Sequence, residues 1–294
     1  MHHFIKKNTN KIFIIGISLN ATYVAIEFSF GLYFHSLSLI SDAVHNLSDV
    51  LSLGIAWLGY FLSTQKPNFR RTYGLKKASI MAALINSVIL FIAVGGIMTE
   101  SLQKLYRPID NLDIQGMLKV AIVGVIVNFG TAFLFYRREK EDLNFRSAFI
   151  HMLTDGLITI SVIISAIIIG YTQFFWIDPL MSFLIALVIL WGTWKIFYES
   201  LNLMIDAVPQ KVDLHEIHQY LKTLPGVQNV HDLHVWAIST TEVALTAHIV
   251  RTYHDDNEEL LERIRNDLEK HFDIDHATIQ FEKESNAISC RHCD

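Results

Sequence analysis

Charge is scarce in this chain. Only 18% of its 294 residues are charged while 51% are hydrophobic, and ordinary soluble domains carry roughly a quarter charged residues. A single soluble globule is therefore excluded as the starting assumption. Cysteine is almost absent as well. Cys290 and Cys293 stand three apart near the C-terminal end, a spacing too short for a structural cross-link but suited to clipping a metal ion, so a disulfide framework is excluded. There is no concentrated positive charge either: the formal net charge is −5 and the basic residues are spread among short connections, which excludes a nucleic-acid-binding stripe. The chain has no G-x-x-x-x-G-K-S/T loop and no H-E-x-x-H pair, which argues against a nucleotide-driven pump and a zincin-type protease. "MHHFIKKNTNK" leads into an apolar stretch with no small-residue cleavage pattern, so the first span is expected to be retained.

What is present is long hydrophobic runs. Six stretches, residues 12–34, 38–63, 78–101, 114–136, 146–170 and 177–200, have the roughly 20 apolar residues that a helix needs to cross a bilayer. Lys6, Lys7 and Lys11 precede the first. Lys66, Arg70, Arg71, Lys76 and Lys77 fill the second connection, and Arg137, Arg138, Lys140 and Arg146 the fourth, whereas the first and fifth connections hold no Lys or Arg. The positive-inside rule then puts both termini in the cytoplasm. Acidic residues are concentrated from Asp206 onward. The expected organisation is a cytoplasmic segment 1–11, an all-α six-helix transmembrane domain 12–205 and a cytoplasmic α+β domain 206–294. In the tail, "DLHEIHQYLKTL" and "NEELLERIRNDLEKHF" read as amphipathic helices, and "VQNVHDLHVWAIS", "EVALTAHIV" and "HATIQFEK" as strands, in the order αββαβ.

Ionisable groups inside the spans carry the chemistry. "SLISDAVHNLSDVLS" places Asp42, His45 and Asp49 in the second span, and "HMLTD" places His151 and Asp155 in the fifth. Four residues advance a helix about 6 Å and turn it about 400°, so each His-x-x-x-Asp pair shares one face. Such groups usually face a water-filled path or a partner, because lipid exposure costs about 2.5–3.5 kcal/mol each. A single pair has a simple structural explanation, in which the histidine hydrogen-bonds a neighbouring carboxylate and locks two helices. Two pairs on two spans can converge as two nitrogens and two oxygens, a tetrahedral set that favours Zn²⁺, with Cd²⁺ and Co²⁺ as lesser candidates. Asp42 reads equally well as a helix-start residue and as a group that orients a ligand or accepts a proton. Because histidine binds metal only when neutral, metal and protons compete for these nitrogens near its reference pKa of about 6.5, and proton-coupled exchange follows. A membrane metal sensor that signals through its tail is the alternative reading. A metalloenzyme ranks lower, since four protein ligands leave no open position for a catalytic water.

These motifs, with "RRTYGLKKASIMAALIN" before the third span, "WIDP" before the sixth and "VHDLHVWAIS" and "LTAHIV" in the tail, resemble the cation diffusion facilitator family, its zinc transporters included. The resemblance covers almost the whole chain. It implies six spans, a homodimer, a ferredoxin-type, metallochaperone-like cytoplasmic domain, and exchange of cytoplasmic zinc for protons, with His45, Asp49, His151 and Asp155 at the transport-ligand positions. The connection "STQKPNFRRTYGLKK" lacks the Asp and His that form a further metal site in some bacterial relatives. "RREKEDLNF" lacks the histidines common between spans four and five of eukaryotic members, so a bacterial cytoplasmic membrane is expected.

Strand parity in the tail puts His234, His248 and Glu282 on one side of a sheet. The family resemblance instead implies His231, His248, Glu282 and His276, and His231 and His234 stay open as alternatives. Gln280 stands where one bacterial subgroup would place a histidine, which disfavours a binuclear site. The terminal "CRHCD" offers Cys290, Cys293 and His292, and the resemblance adds His2 and His3 as helpers from a neighbouring subunit. Zn²⁺ held in the tail is expected to be structural or regulatory.

Overall fold

The computed structural model describes residues 2–33, 37–106, 114–140, 142–172, 174, 176–252 and 257–283, and among these residues six long helices come before a small unit built on a mixed sheet. For some of these, including residues 2–10, 31–33, 37–45, 48 and 49, only the backbone is described. The helices are α1 (His2–Tyr33), α2 (Leu37–Ser63), α3 (Ala78–Tyr106), α4 (Ile114–Tyr136), α5 (Leu143–Thr172) and α6 (Ile177–Met204). Several outrun their apolar stretches. Hydropathy marks only the greasy part of a helix, whereas the backbone ladder continues through Lys6 and Lys7 of α1, since lysine is a good helix former. Pro179 sits in the first turn of α6, where its missing N–H costs nothing. Among the described residues, α3 and the Pro179–Met204 part of α6 are long and apolar enough by themselves to cross a membrane.

One packing layer joins Phe13 of α1, Leu53 and Ala56 of α2, Phe135 of α4, and Phe145 and Met152 of α5. The Phe13 ring lies 5.2 Å from that of Phe135 and 4.7 Å from that of Phe145, within the usual range for paired aromatics. Val94 of α3 packs with Ala186 and Ile189 of α6. Buried amides tie further helices together: Asn20 Nδ2 donates to Thr131 Oγ1 at 3.0 Å, and Asn86 Nδ2 to Ser147 Oγ at 2.8 Å. Large apolar side chains such as Ile92, Ile126 and Trp191 point outward, as befits a bundle whose solvent is hydrocarbon.

After α6 come α7 (Leu214–Thr223), β1 (Val227–Ala237), β2 (Val243–Arg251), α8 (Asn257–Phe272) and β3 (His276–Glu282). The side chain of Asp213 caps α7, accepting from the N–H groups of His215 and Glu216 at 2.8 and 3.2 Å. The acidic Glu258 and Glu259 in the first turn of α8 and the basic Lys270 and His271 in its last complement the helix dipole. The sheet order is β1-β2-β3, with β1 and β2 antiparallel and β2 and β3 parallel. Leu245, Ala247 and Ile249 of β2 pack against Ile217 and Leu221 of α7 and Leu260, Ile264 and Leu268 of α8, which leaves the opposite face of the sheet for polar residues.

The β1–β2 hairpin tip seats against the helix bundle. Thr240 N–H donates to Ser79 Oγ at 3.2 Å and Thr240 Oγ1 to Asp142 Oδ2 at 2.9 Å. Lys76 pairs with Glu242 and Lys77 with Asp206, while Ala237 packs with Ile80, Ala83, Leu143 and Leu203. Burial pushes the Asp142 carboxyl above its ordinary value, even though Asn144 and Thr240 donate to it. A carboxyl whose pKa is higher folded than unfolded adds stability that is complete below the unfolded pKa and is lost as pH rises through the folded one. Asp142→Asn keeps one acceptor oxygen, for Asn144 or for Thr240, and removes the titration, so its melting temperature relative to the wild type is expected to rise as pH is raised from the ordinary aspartate range towards neutral. Parallel melting curves across that range, measured on purified protein, would contradict the assignment.

Candidate metal centres

The polar face of the sheet gathers three donors. The Cα pairing of β1 and β2 runs His231 with His248 and then His234 with Thr246, so β1 holds one residue more than β2 over this interval. Asp232 takes up the irregularity at φ 51, a conformation that aspartate tolerates better than most residues. The extra residue resets the alternation, so His231 and His234 end on the same side, and His231 stands directly across from His248. His231 Nε2 lies 3.2 Å from Glu282 Oε2, and His248 Nδ1 lies 2.9 Å from Glu282 Oε1. Donor atoms of these three residues all fall within 4.8 Å of one another. The edge of a tetrahedron with Zn–N bonds of 2.0–2.1 Å is about 3.3 Å, so little movement separates this arrangement from a chelate. His231 Nδ1 is buried with no hydrogen-bond partner among the described residues.

Asp232 extends the cluster, and sequence parity missed it as a participant. Its Oδ1 lies 2.9 Å from His234 Nε2 and its Oδ2 3.7 Å from His248 Nε2. The hydrogen bond with His234 is the main cause that holds the Asp232 carboxyl below the usual carboxylate range, helped by the neighbouring histidine charges. His234 itself is exposed and sits beside Asp232, away from Glu282. His276 is set apart from the triad: it opens β3 whereas Glu282 closes it, about 20 Å away at strand rise. Its Nε2 lies 3.9 Å from Glu242 Oε2 and its ring meets Tyr73 edge-on at 6.1 Å. Gln280 Nε2 donates to Glu282 Oε1 at 3.0 Å, a supporting contact. Cys290, His292 and Cys293 lie outside the described residues, and His2 and His3 are described only as backbone of α1.

In the bundle, α5 carries His151 and Asp155 one turn apart, with Nε2 and Oδ2 separated by 3.7 Å and the side chains 5% and 11% exposed. Helix α2 packs against α5. It bears Asp42, His45 and Asp49 on its backbone, their side chains lying outside the described residues. Thr159 Oγ1 donates to the Asp155 carbonyl at 2.6 Å. Next to Asp155, Gly156 admits the ring of Phe129 from α4: a Cβ at this position would stand 2.5 Å from Phe129 Cε2.

Two family models cover the chain. The cation efflux transmembrane domain matches residues 13–205, and the cation efflux protein cytoplasmic domain matches residues 209–284. The chain belongs to the cation efflux family. As a member it is a membrane transporter of metal cations and not an enzyme. It is 32% identical to a cadmium, cobalt and zinc/H(+)-K(+) antiporter of Bacillus subtilis, over 99% of this chain and 96% of the relative. It is 35% identical to the metal cation efflux system protein CzcD of Cupriavidus metallidurans, over 91% and 85%, and 30% identical to the zinc transporter ZitB of Escherichia coli, over 95% and 90%. A solved structure of the metal-bound C-terminal domain of a CzcD transporter is similar at 40% identity, covering 24% of this chain and 99% of that one, with a TM-score of 0.23.

The tight seat of Phe129 on Gly156 gives a direct test of how the efflux protein packs α4 against Asp155. Gly156→Ala is expected to destabilise by about 1–3 kcal/mol, as overpacking does. Adding Phe129→Leu should restore much of the melting temperature, and additive losses in the double variant would show that the two positions do not couple.

Proposed function

We propose that this protein exports Zn²⁺ from the cytoplasm in exchange for protons, by alternating access to a site made of His45, Asp49, His151 and Asp155. The observation that carries the reading is the buried His151–Asp155 pair on α5, with α2 packed against it and bearing the same four-residue spacing. Leu53 of α2 and Met152 of α5 share one packing layer. Asp49 is one turn from Leu53, and His151 and Asp155 flank Met152, which supports convergence at one level. Two imidazoles and two carboxylates suit Zn²⁺, and Cd²⁺ and Co²⁺ are lesser substrates. The names of relatives as zinc transporters and as a cadmium, cobalt and zinc antiporter support the cargo and the exchange.

Each step uses groups of the chain. From the cytoplasmic side, deprotonated imidazoles and carboxylates accept the cation. On the far side, protons compete for the same atoms and displace it, and the protonated site returns inward. The proposed setting is a bacterial cytoplasmic membrane, with α1 to α6 as six spans and both termini cytoplasmic, consistent with the basic second and fourth connections. The cytoplasmic unit is proposed to fold in a ferredoxin-like, metallochaperone-like manner, to hold the two copies of a homodimer together and to bind Zn²⁺ through His231, His248 and Glu282. The proposed supplementary ligands at the termini are Cys290, Cys293, His292, His2 and His3.

Zinc flux in proteoliposomes under an imposed pH gradient tests the transport site. Asp49→Ala and Asp155→Ala are each expected to reduce metal-driven proton flux to that of empty liposomes, and His45→Asp to shift preference towards Mn²⁺. Wild-type flux in both alanine variants would sink the reading. The sheet site is tested separately, in an Asp49→Ala/Asp155→Ala background that silences the bundle. There, His248→Ala should weaken Zn²⁺ binding by at least about tenfold in competition with a chelating dye, with fewer protons released on binding. His276→Ala should leave the affinity unchanged.

A further inference from the structure

The connection from α2 to α3 bears five cations, Lys66, Arg70, Arg71, Lys76 and Lys77. Two of them have acidic partners: Lys76 with Glu242, and Lys77 with Asp206 at 2.6 Å. Arg70 and Arg71 are exposed and have no acidic partner among the described residues. Both line a cavity of about 500 Å³ that reaches the first turn of α3 at Met81, the end of α6 at Met204, and Trp236 of β1.

The backbone here is held in a defined shape. Asn68 Oδ1 accepts from the N–H groups of Arg70 and Arg71 at 3.0 and 2.9 Å, and Asn68 and Arg71 exchange two backbone hydrogen bonds of 3.0 Å. Gly74 closes the turn at φ 71, donating to the Arg71 carbonyl at 2.8 Å. A Cβ there would stand 2.9 Å from the Gln65 carbonyl oxygen, so glycine is required twice over. Arg70 and Arg71 are neighbours on this fixed turn, so an anion bound there would offset two positive charges at once, and the planar guanidinium forks suit the oxygens of a phosphate.

The surroundings choose among phosphates. Phe69, next to Arg70, is fully exposed, and Met81 and Ile205 are 46% and 67% exposed at the same end of the bundle. A free phosphate ion has no use for an apolar floor. A lipid does, and aromatic and basic residues at one level are the side-chain chemistry of a membrane interface. We propose that Arg70 and Arg71, with the cavity behind them, bind the phosphate of an anionic phospholipid headgroup whose acyl chains run along the Met81 face of α3. The proposal rests on the reading of α3 and α6 as membrane spans and is independent of which metal is carried.

The test uses the full-length protein in neutral detergent, titrated at fixed ionic strength with dioctanoyl phosphatidylglycerol, dioctanoyl phosphatidylcholine or inorganic phosphate, and read as a shift in melting temperature. Phosphatidylglycerol is expected to raise the melting temperature saturably, and phosphatidylcholine to have no such effect. Arg70→Gln/Arg71→Gln should raise the half-saturating phosphatidylglycerol concentration by about tenfold or more. Arg137→Gln/Lys140→Gln removes equal charge from another connection and should leave it unchanged. Arg70→Lys/Arg71→Lys keeps the charge but not the fork, and an intermediate concentration is expected; it carries the test if the glutamine variant fails to fold. Unchanged binding in the Arg70 and Arg71 variants, equal losses in both glutamine variants, or inorganic phosphate acting as well as phosphatidylglycerol would each overturn the proposal.

Discussion

The cytoplasmic unit takes its orientation from one contact, the seat of the β1–β2 hairpin tip on the ends of α3 and α5. Thr240 spends both of its donors there, the N–H on Ser79 and the hydroxyl on the buried Asp142. The tip is itself rigid, since Ser239 Oγ accepts from the N–H groups of Thr241 and Glu242 at 3.1 and 3.0 Å. Ala237 is small enough to let β1 approach Ile80, Leu143 and Leu203. A larger residue would lift the strand and lengthen the Thr240 bonds. Ion pairs at Lys76 and Lys77 frame the contact, but partly exposed pairs contribute less than the buried bonds they surround.

The same two strands carry the donor cluster further along, away from the tip. Residues between Ala237 and His231 form a short paired ladder with Val243 to His248, so the position of the cluster is inherited from the docked tip. The irregularity at Asp232 falls between the two ends. Without it, His231 would point into the core packed by Leu245 and Ile249, and a buried imidazole there would lack partners. With it, both β1 histidines reach the open face, where Glu282 serves His231 and His248 through separate oxygens.

Legibility in the sequence followed the strength of the periodic signal. Long apolar runs marked the positions of α1 to α6, and the helix and strand order of the tail could be read from its alternation to within a residue or two at most ends. Alternation assumes an unbroken period of two. One inserted residue at Asp232 therefore sufficed to misplace His231 in a parity argument, and nothing in "VHDLHVW" announces a bulge. The separation of His276 from Glu282 was legible in principle, because six steps along an extended strand cannot bring its ends together. Asp142 was not, since its burial depends on a hairpin nearly a hundred residues further along the chain. The buried amides Asn20 and Asn86 were signalled only by being polar inside apolar runs.

The two candidate centres differ in how far water reaches them, and under the proposed exchange that difference separates their roles. His151 and Asp155 are 5% and 11% exposed, so an uncompensated carboxylate there is costly. A divalent cation or a proton removes that cost, and the bundle has reason to pass between its two faces only with one or the other aboard. In the proposed mechanism, that cost is what would couple metal to protons without a nucleotide. In the sheet, His248 is 30% exposed and faces carboxylates on both sides, Glu282 at 2.9 Å and Asp232 at 3.7 Å. Solvent and Asp232 can compensate this site when metal leaves, so under the proposed reading occupancy there can follow cytoplasmic metal, and the protons it displaces go to the surrounding water without being carried across the membrane.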